Sequence, residues 1–161
     1  KKAAKISKTG NVAMLATHAT VRSKKLSEYV RKSRLSKHVN LKKIDATQLV
    51  RLVEDGKFLD NKKLCKKTVR KVLSEPFSKS DTDVVVLSST HLPLLLPFLK
   101  KQFPSITFVD PAKEIAQKVR KIVAKNPSKT NTMKIFTSSN PKKFQKYLWQ
   151  LGIRKNVRIL V

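Results

Sequence analysis

Cysteine, aromatic side chains, acidic side chains and long apolar runs are all scarce in this 161-residue chain. Its single cysteine, Cys65, excludes an internal disulfide framework and a Cys-rich zinc site. Aromatic residues make up 6%, few for a module that stacks nucleic-acid bases, and no nucleic-acid motif is present. The longest apolar stretch, Leu92 to Leu99, is interrupted by Pro93 and Pro97 and is too short to span a bilayer. No apolar run follows the basic opening Lys1-Lys2-Ala3-Ala4, so no secretory signal is read there. The chain lacks an initial Met, and its opening reads as a piece cut from a longer protein. These absences predict a soluble, cytoplasmic protein with no membrane partner. Ten Asp and Glu face 37 Lys and Arg, a net charge of +27. Such a field attracts nucleic acid, polyphosphate or an anionic surface. Lysine dominates the basic residues and is spread along the whole chain. That spread favours a lysine-coated surface, with non-specific nucleic-acid binding as its consequence, over a dedicated binding stripe.

What the chain does have is a 40% apolar content, enough for a packed core, arranged as short runs. Strands are predicted at Asn11–Ala16, Asp83–Leu87, Ile106–Val109, Met133–Thr137 and Val157–Val161, with a weaker one at Val39–Ile44. The strongest are continuous rather than alternating, as in Val84 to Leu87, which suits strands covered on both faces. Helical patterns lie between them, at Val21–Leu35, Gln48–Glu54 and Asn61–Leu73. In the last, Cys65, Val69, Val72 and Leu73 form one apolar stripe, which makes Cys65 a core residue rather than a nucleophile. Asp110-Pro111 starts a further helix that carries Ile115, Val119, Ile122 and Val123 on one face. Asn126 to Asn131 reads as a linker. Asn140-Pro141 starts a last helix, through about Leu151, which Gly152 ends.

Strands alternating with helices predict an α/β fold with a mainly parallel sheet. Ligands in such folds bind beyond the carboxyl ends of the strands. The residues there are Thr17, His18 and Thr20, then Asp45, then Ser88, Ser89, Thr90 and His91, then Asp110, then Ser138, Ser139 and Asn140. Hydroxyls dominate this set. With the free N–H groups of helix N-termini they suit a small carboxylate or phosphate ligand.

The segment from Asp83 to Leu95, Asp-Val-Val-Val-Leu-Ser-Ser-Thr-His-Leu-Pro-Leu-Leu, resembles the glutamate racemase signature, a strand followed by Leu-Gly-Cys-Thr-His-Tyr/Phe-Pro-Leu-Leu. Ser88 stands for the glycine, Ser89 for the cysteine and Leu92 for the aromatic. Val12 to Ser23 resembles the family's strand ending in Ala-Thr-x-x-Thr-x-x-Ser, and Leu49 to Glu54 its Phe-Val-Pro-x-Val-Glu segment. Thr107-Phe-Val-Asp110 resembles the strand that follows the signature, and Phe136 to Phe144 the closing Phe-x-Thr-Ser/Thr element. The order and spacing agree over nearly the whole chain. The family's N-terminal Asp-Ser-Gly and Cys-Asn-Thr motifs are absent. The resemblance therefore implies the C-terminal part of such a protein. Residues 1–109 would form a three-layer aspartate/glutamate racemase-like domain. Residues 110–161 would return to complete a second α/β domain, most of which lies elsewhere.

The resemblance also implies chemistry. Members interconvert L- and D-glutamate without a cofactor or metal, the D-form serving peptidoglycan, and two cysteines transfer the proton on opposite faces of the substrate. The cysteine at position 89 would act on L-glutamate. Ser89 stands there, His91 matches the histidine that assists it, and Glu54 the nearby glutamate. Thr17, Thr20 and Thr90 match threonines that hold substrate carboxylates. The implied ligand is glutamate or a related dicarboxylate, and a homodimer is admitted. Each residue has a plainer reading: Ser89 and Thr90 as helix caps, His91 as a satisfied histidine, Glu54 as a solvated helix end, Thr17 and Thr20 as a turn and an N-cap. His18 is read as structural. A thiol titrates near 8.5 and can be tuned into a working range, whereas an unactivated serine alkoxide is not available near neutral pH. His91 could activate Ser89 as in hydrolases, but no third group to orient it is evident in the sequence. Three classes stay open: an amino-acid racemase impaired at Ser89, a non-catalytic binding module of that fold, and a basic nucleic-acid-binding protein.

Overall fold

The computed structural model describes residues 2–32, 39–124 and 132–160. In chain order the elements are α1 (Lys2–Ile6), β1 (Asn11–Ala16), α2 (His18–Val21), α3 (Lys24–Lys32), β2 (Asn40–Asp45), α4 (Thr47–Glu54), α5 (Lys57–Asp60) and α6 (Lys62–Ser78). There follow β3 (Val84–Leu87), a 3-10 turn (Leu92–Leu95), α7 (Leu96–Gln102), β4 (Thr107–Val109), α8 (Ala112–Val123), β5 (Ile135–Thr137), α9 (Pro141–Gln150) and β6 (Val157–Ile159). They divide into two compact units, Lys1–Ala116 and Gln117–Val161. No helix of the described residues is long and apolar enough to cross a membrane.

The first unit is built on a four-stranded sheet in the order β2-β1-β3-β4, parallel throughout. Successive side chains of a strand point to opposite faces, and the two cores divide accordingly. Ala13, Leu15, Ile44, Val85 and Leu87 meet α4, α6, the 3-10 turn and α7 in the main core, which includes Cys65, Val69 and Leu73. Val12, Val84 and Val109 pack on the other side with Ala3 and Val39. Both faces of β1 and β3 are thus covered, which is why their apolar runs are unbroken. Cys65 is buried, and its burial pushes the thiol above its ordinary value.

The structure departs from the expected elements in two helical runs. The run Val21–Leu35 is divided: α2 closes at Val21 and α3 begins at Lys24, while residues 33–35 of the run, like the linker Asn126 to Asn131, lie outside the described residues. The helix expected to end at Leu73 continues to Ser78, past Pro76. The extra turn seats Phe77 in the core, edge-on to Phe103 with ring centroids 4.9 Å apart, and Lys42 and Ser80 donate to the Pro76 carbonyl. Pro93 and Pro97, which interrupt the longest apolar stretch, each sit in the first turn of a helical segment, where proline's missing N–H costs nothing.

The second unit is a parallel pair, β5 and β6, crossed by α9. The Asn140 side chain caps α9 by accepting from the Lys143 N–H at 3.0 Å. Gly152, in a left-handed conformation at φ 84°, turns the chain out of it.

Candidate active site

All four strands of the first sheet end on one rim, so the segments after β1, β2 and β3 stand side by side. After β3 the chain stays bound to its neighbour, with the Ser88 N–H donating to the Leu15 carbonyl at 2.9 Å. It then turns through Ser89, Thr90 and His91. The Ser89 Oγ lies 3.3 Å from His91 Nδ1 and also accepts from the His91 N–H at 3.4 Å. On the far side of the ring, Nε2 is 3.9 Å from Glu54 Oε1 at the end of α4. Three residues named from the sequence therefore form one file: hydroxyl, imidazole, carboxylate. Glu54 supplies the third group that the sequence did not reveal, although 3.9 Å is longer than a hydrogen bond. Thr90 is exposed in the turn between Ser89 and His91.

After β1, Thr17 occupies the N-cap position of α2 without capping it by its side chain. Its hydroxyl meets that of Thr20 at 3.2 Å instead, so the pair is turned toward each other at the rim. Thr17 and Ser88 follow adjacent strands, but no hydrogen bond links the threonine pair to the Ser89–His91–Glu54 file among the described residues. Between β1 and β2, Asp45 accepts from the Thr47 N–H at 2.9 Å, from the Thr47 hydroxyl at 2.6 Å and from His18 Nδ1 at 2.9 Å. Burial disfavours the Asp45 carboxylate, but these hydrogen bonds and the nearby imidazole outweigh it and hold the carboxyl below its ordinary value. The same network ties His18 by its N–H to the Thr47 hydroxyl, giving His18 a fixed place at the start of α2.

No family model matches the chain. Among curated proteins, it is 31% identical over 127 residues to glutamate racemase 1 of Caldanaerobacter subterraneus subsp. tengcongensis, covering 78% of this chain and 46% of that protein. It is 31% identical over 170 residues to the glutamate racemase of Bartonella quintana, covering 98% of this chain and 61% of that protein. Its relatives are glutamate racemases. The fold agrees: the Escherichia coli glutamate racemase, solved with L-glutamate and the activator UDP-MurNAc-ala, superposes with a TM-score of 0.81 at 22% identity, over 100% of this chain and 62% of that one. The chain spans about half the length of the curated glutamate racemases it matches.

Thr47 is the residue that sequence reasoning missed. Its signal was the spacing of Asp45 and Thr47, a short acceptor two residues before a hydroxyl at a strand-to-helix turn.

Proposed function

We propose that this chain supplies one face of a glutamate racemase site and that Ser89 leaves this face poor at proton transfer. The file of Ser89, His91 and Glu54 carries the reading, with a hydroxyl 3.3 Å from one imidazole nitrogen and a carboxylate 3.9 Å from the other. With Glu54 facing Nε2–H, Nδ1 accepts the Ser89 proton. That arrangement lowers the cost of forming an alkoxide, but the Glu54 contact is too long to orient the ring firmly. A serine hydroxyl therefore remains a far weaker base toward an α-carbon than a tuned thiolate. Thr17, Thr20 and Thr90 hold the substrate carboxylates. The opposite face, with its own base, comes from residues outside this chain. Residues 1–109 form the racemase-like domain, and residues 110–161 complete the domain that bears that second face. The reaction is cofactor-free interconversion of L- and D-glutamate in the cytoplasm, with D-glutamate passing to peptidoglycan.

The test replaces the matching segment of the Bartonella quintana racemase with this chain and follows the substrate α-hydrogen by proton NMR in deuterated water, alongside polarimetry. With Ser89 in place, D-glutamate exchanges its α-hydrogen faster than it racemises, and L-glutamate does neither. Ser89→Cys restores conversion in both directions. The isolated 161-residue chain is inactive with either residue. Racemisation by the isolated chain, or efficient racemisation by the Ser89 chimera, overturns the reading.

A further inference from the structure

The lysines look scattered in sequence, but the fold gathers some of them. Lys66, Lys67, Arg70 and Lys71 follow one exposed face of α6, opposite the buried Cys65, Val69 and Leu73. Lys101 on α7 faces them across a cavity of about 920 Å³ whose lining also includes Phe98 and Phe103. None of the residues of the candidate active site lines it. The walls are fixed: the Gln102 side-chain amide donates to the Lys66 carbonyl at 2.7 Å, and Phe103 is held edge-on by Phe77. The single acid of α6, Glu75, is engaged by Lys79. No ion pair among the described residues uses any of the cavity's five cations.

We propose that this α6–α7 cleft binds a single-stranded nucleic acid, its phosphates along the five cations and its bases against Phe98 and Phe103. A mineral anion would have no use for the two half-buried rings, and an apolar ligand none for five charges that have no ion pair among the described residues. A strand of nucleotides presents both chemistries at the spacing of a groove. A duplex hides its bases and would meet only the charges.

Fluorescence anisotropy with a labelled oligothymidylate, the matching duplex, a mononucleotide and phosphatidylglycerol vesicles tests this on the whole chain. The strand binds best. Arg70→Gln, Lys71→Gln and Lys101→Gln together weaken it about tenfold or more at moderate salt and flatten the slope of log K against log salt by about 2, three contacts at roughly 0.7 each. Lys24→Gln, Lys25→Gln and Lys32→Gln on α3 make the same change in net charge and weaken it less than about threefold. Phe98→Leu keeps the apolar packing and still weakens the strand about fivefold or more, because a stacked base is lost. Circular dichroism shows each variant folded. Equal losses from the two triple variants would assign the binding to diffuse charge. Equal affinity for duplex, or indifference to Phe98→Leu, would remove the base platform. Preference for the mononucleotide or for the vesicles would give the cleft another occupant. Each of these results overturns the proposal.

Discussion

In the proposed site Ser89 depends on His91, 3.3 Å away, for any proton transfer, because a serine hydroxyl is far less acidic than a thiol. A carboxylate elsewhere shows the opposite case, a charge that serves folding rather than reaction. Asp83, just before β3, accepts from the Ser7 hydroxyl at 2.6 Å, the Lys8 N–H at 2.5 Å, the Thr9 N–H at 3.2 Å and the Thr9 hydroxyl at 3.1 Å. Burial opposes its ionisation, but the four donors prevail and bring it down to about 2 from 3.8. A carboxyl whose folded value is depressed stabilises the fold above its unfolded value, and that stability is lost as pH falls through the folded one. Asp83 thus contributes in full above about pH 4 and progressively less toward pH 2. Asp83→Asn should lower unfolding free energy by about 1 kcal/mol at neutral pH, a modest figure because solvent reaches the site. The gap between variant and parent should close as denaturant titrations are carried down to pH 2. A gap that stays constant with pH would mean that the carboxylate's charge is not what the loop uses.

At the scale of elements, local chemistry in the sequence is a good guide wherever it acts within one turn. Asn61 and Asn140 read as helix starts in the sequence, and both cap by accepting from the third N–H onward, at 2.9 Å from Leu64 and 3.0 Å from Lys143. Asn61→Ala should cost about 1 kcal/mol in a thermal or denaturant melt of the whole chain, with helix content unchanged at low temperature. No loss would mean that water or a neighbouring residue caps α6 equally well. The parallel sheet is legible because continuous apolar runs need cover on both faces. The turn of Ser89, Thr90 and His91 is legible because its members are adjacent in the chain. Glu54 beside His91 is different. Its approach depends on how α4 packs against the 3-10 turn that follows His91, and no spacing in the sequence records that. The same holds for the α6–α7 cleft, whose basic wall and aromatic floor come from separate helices. The run of α6 past Leu73 is not legible either, because proline's cost at Pro76 is local while the burial of Phe77 that outweighs it is tertiary.

At the scale of the molecule, charge and exposed apolar surface act in opposite directions. In the second unit Leu148 and Val157 are the buried apolar residues among those described, while Phe136, Trp149, Ile159 and Leu160 are exposed. A two-stranded pair with one helix is marginal on its own. Each of β5 and β6 has a single partner strand among the described residues, so each keeps an edge without a second strand. Such edges and faces favour association, whether with another copy or with a segment that completes the unit. The net charge of +27 opposes it by repulsion between copies. Salt decides between the two, because the screening length falls from about 10 Å at 0.1 M to about 3 Å at 1 M while apolar burial is not weakened. Sedimentation of the isolated chain should therefore show an average mass that rises with protein concentration, and rises further with added salt. This is the reverse of the salt response expected for nucleic-acid binding in the α6–α7 cleft. Phe136→Lys with Ile159→Lys should reduce the association at every salt concentration without touching that cleft. A monomer at all concentrations and salts, with cooperative unfolding at high temperature, would show that β5, α9 and β6 form a closed unit and that their exposed apolar residues need no partner.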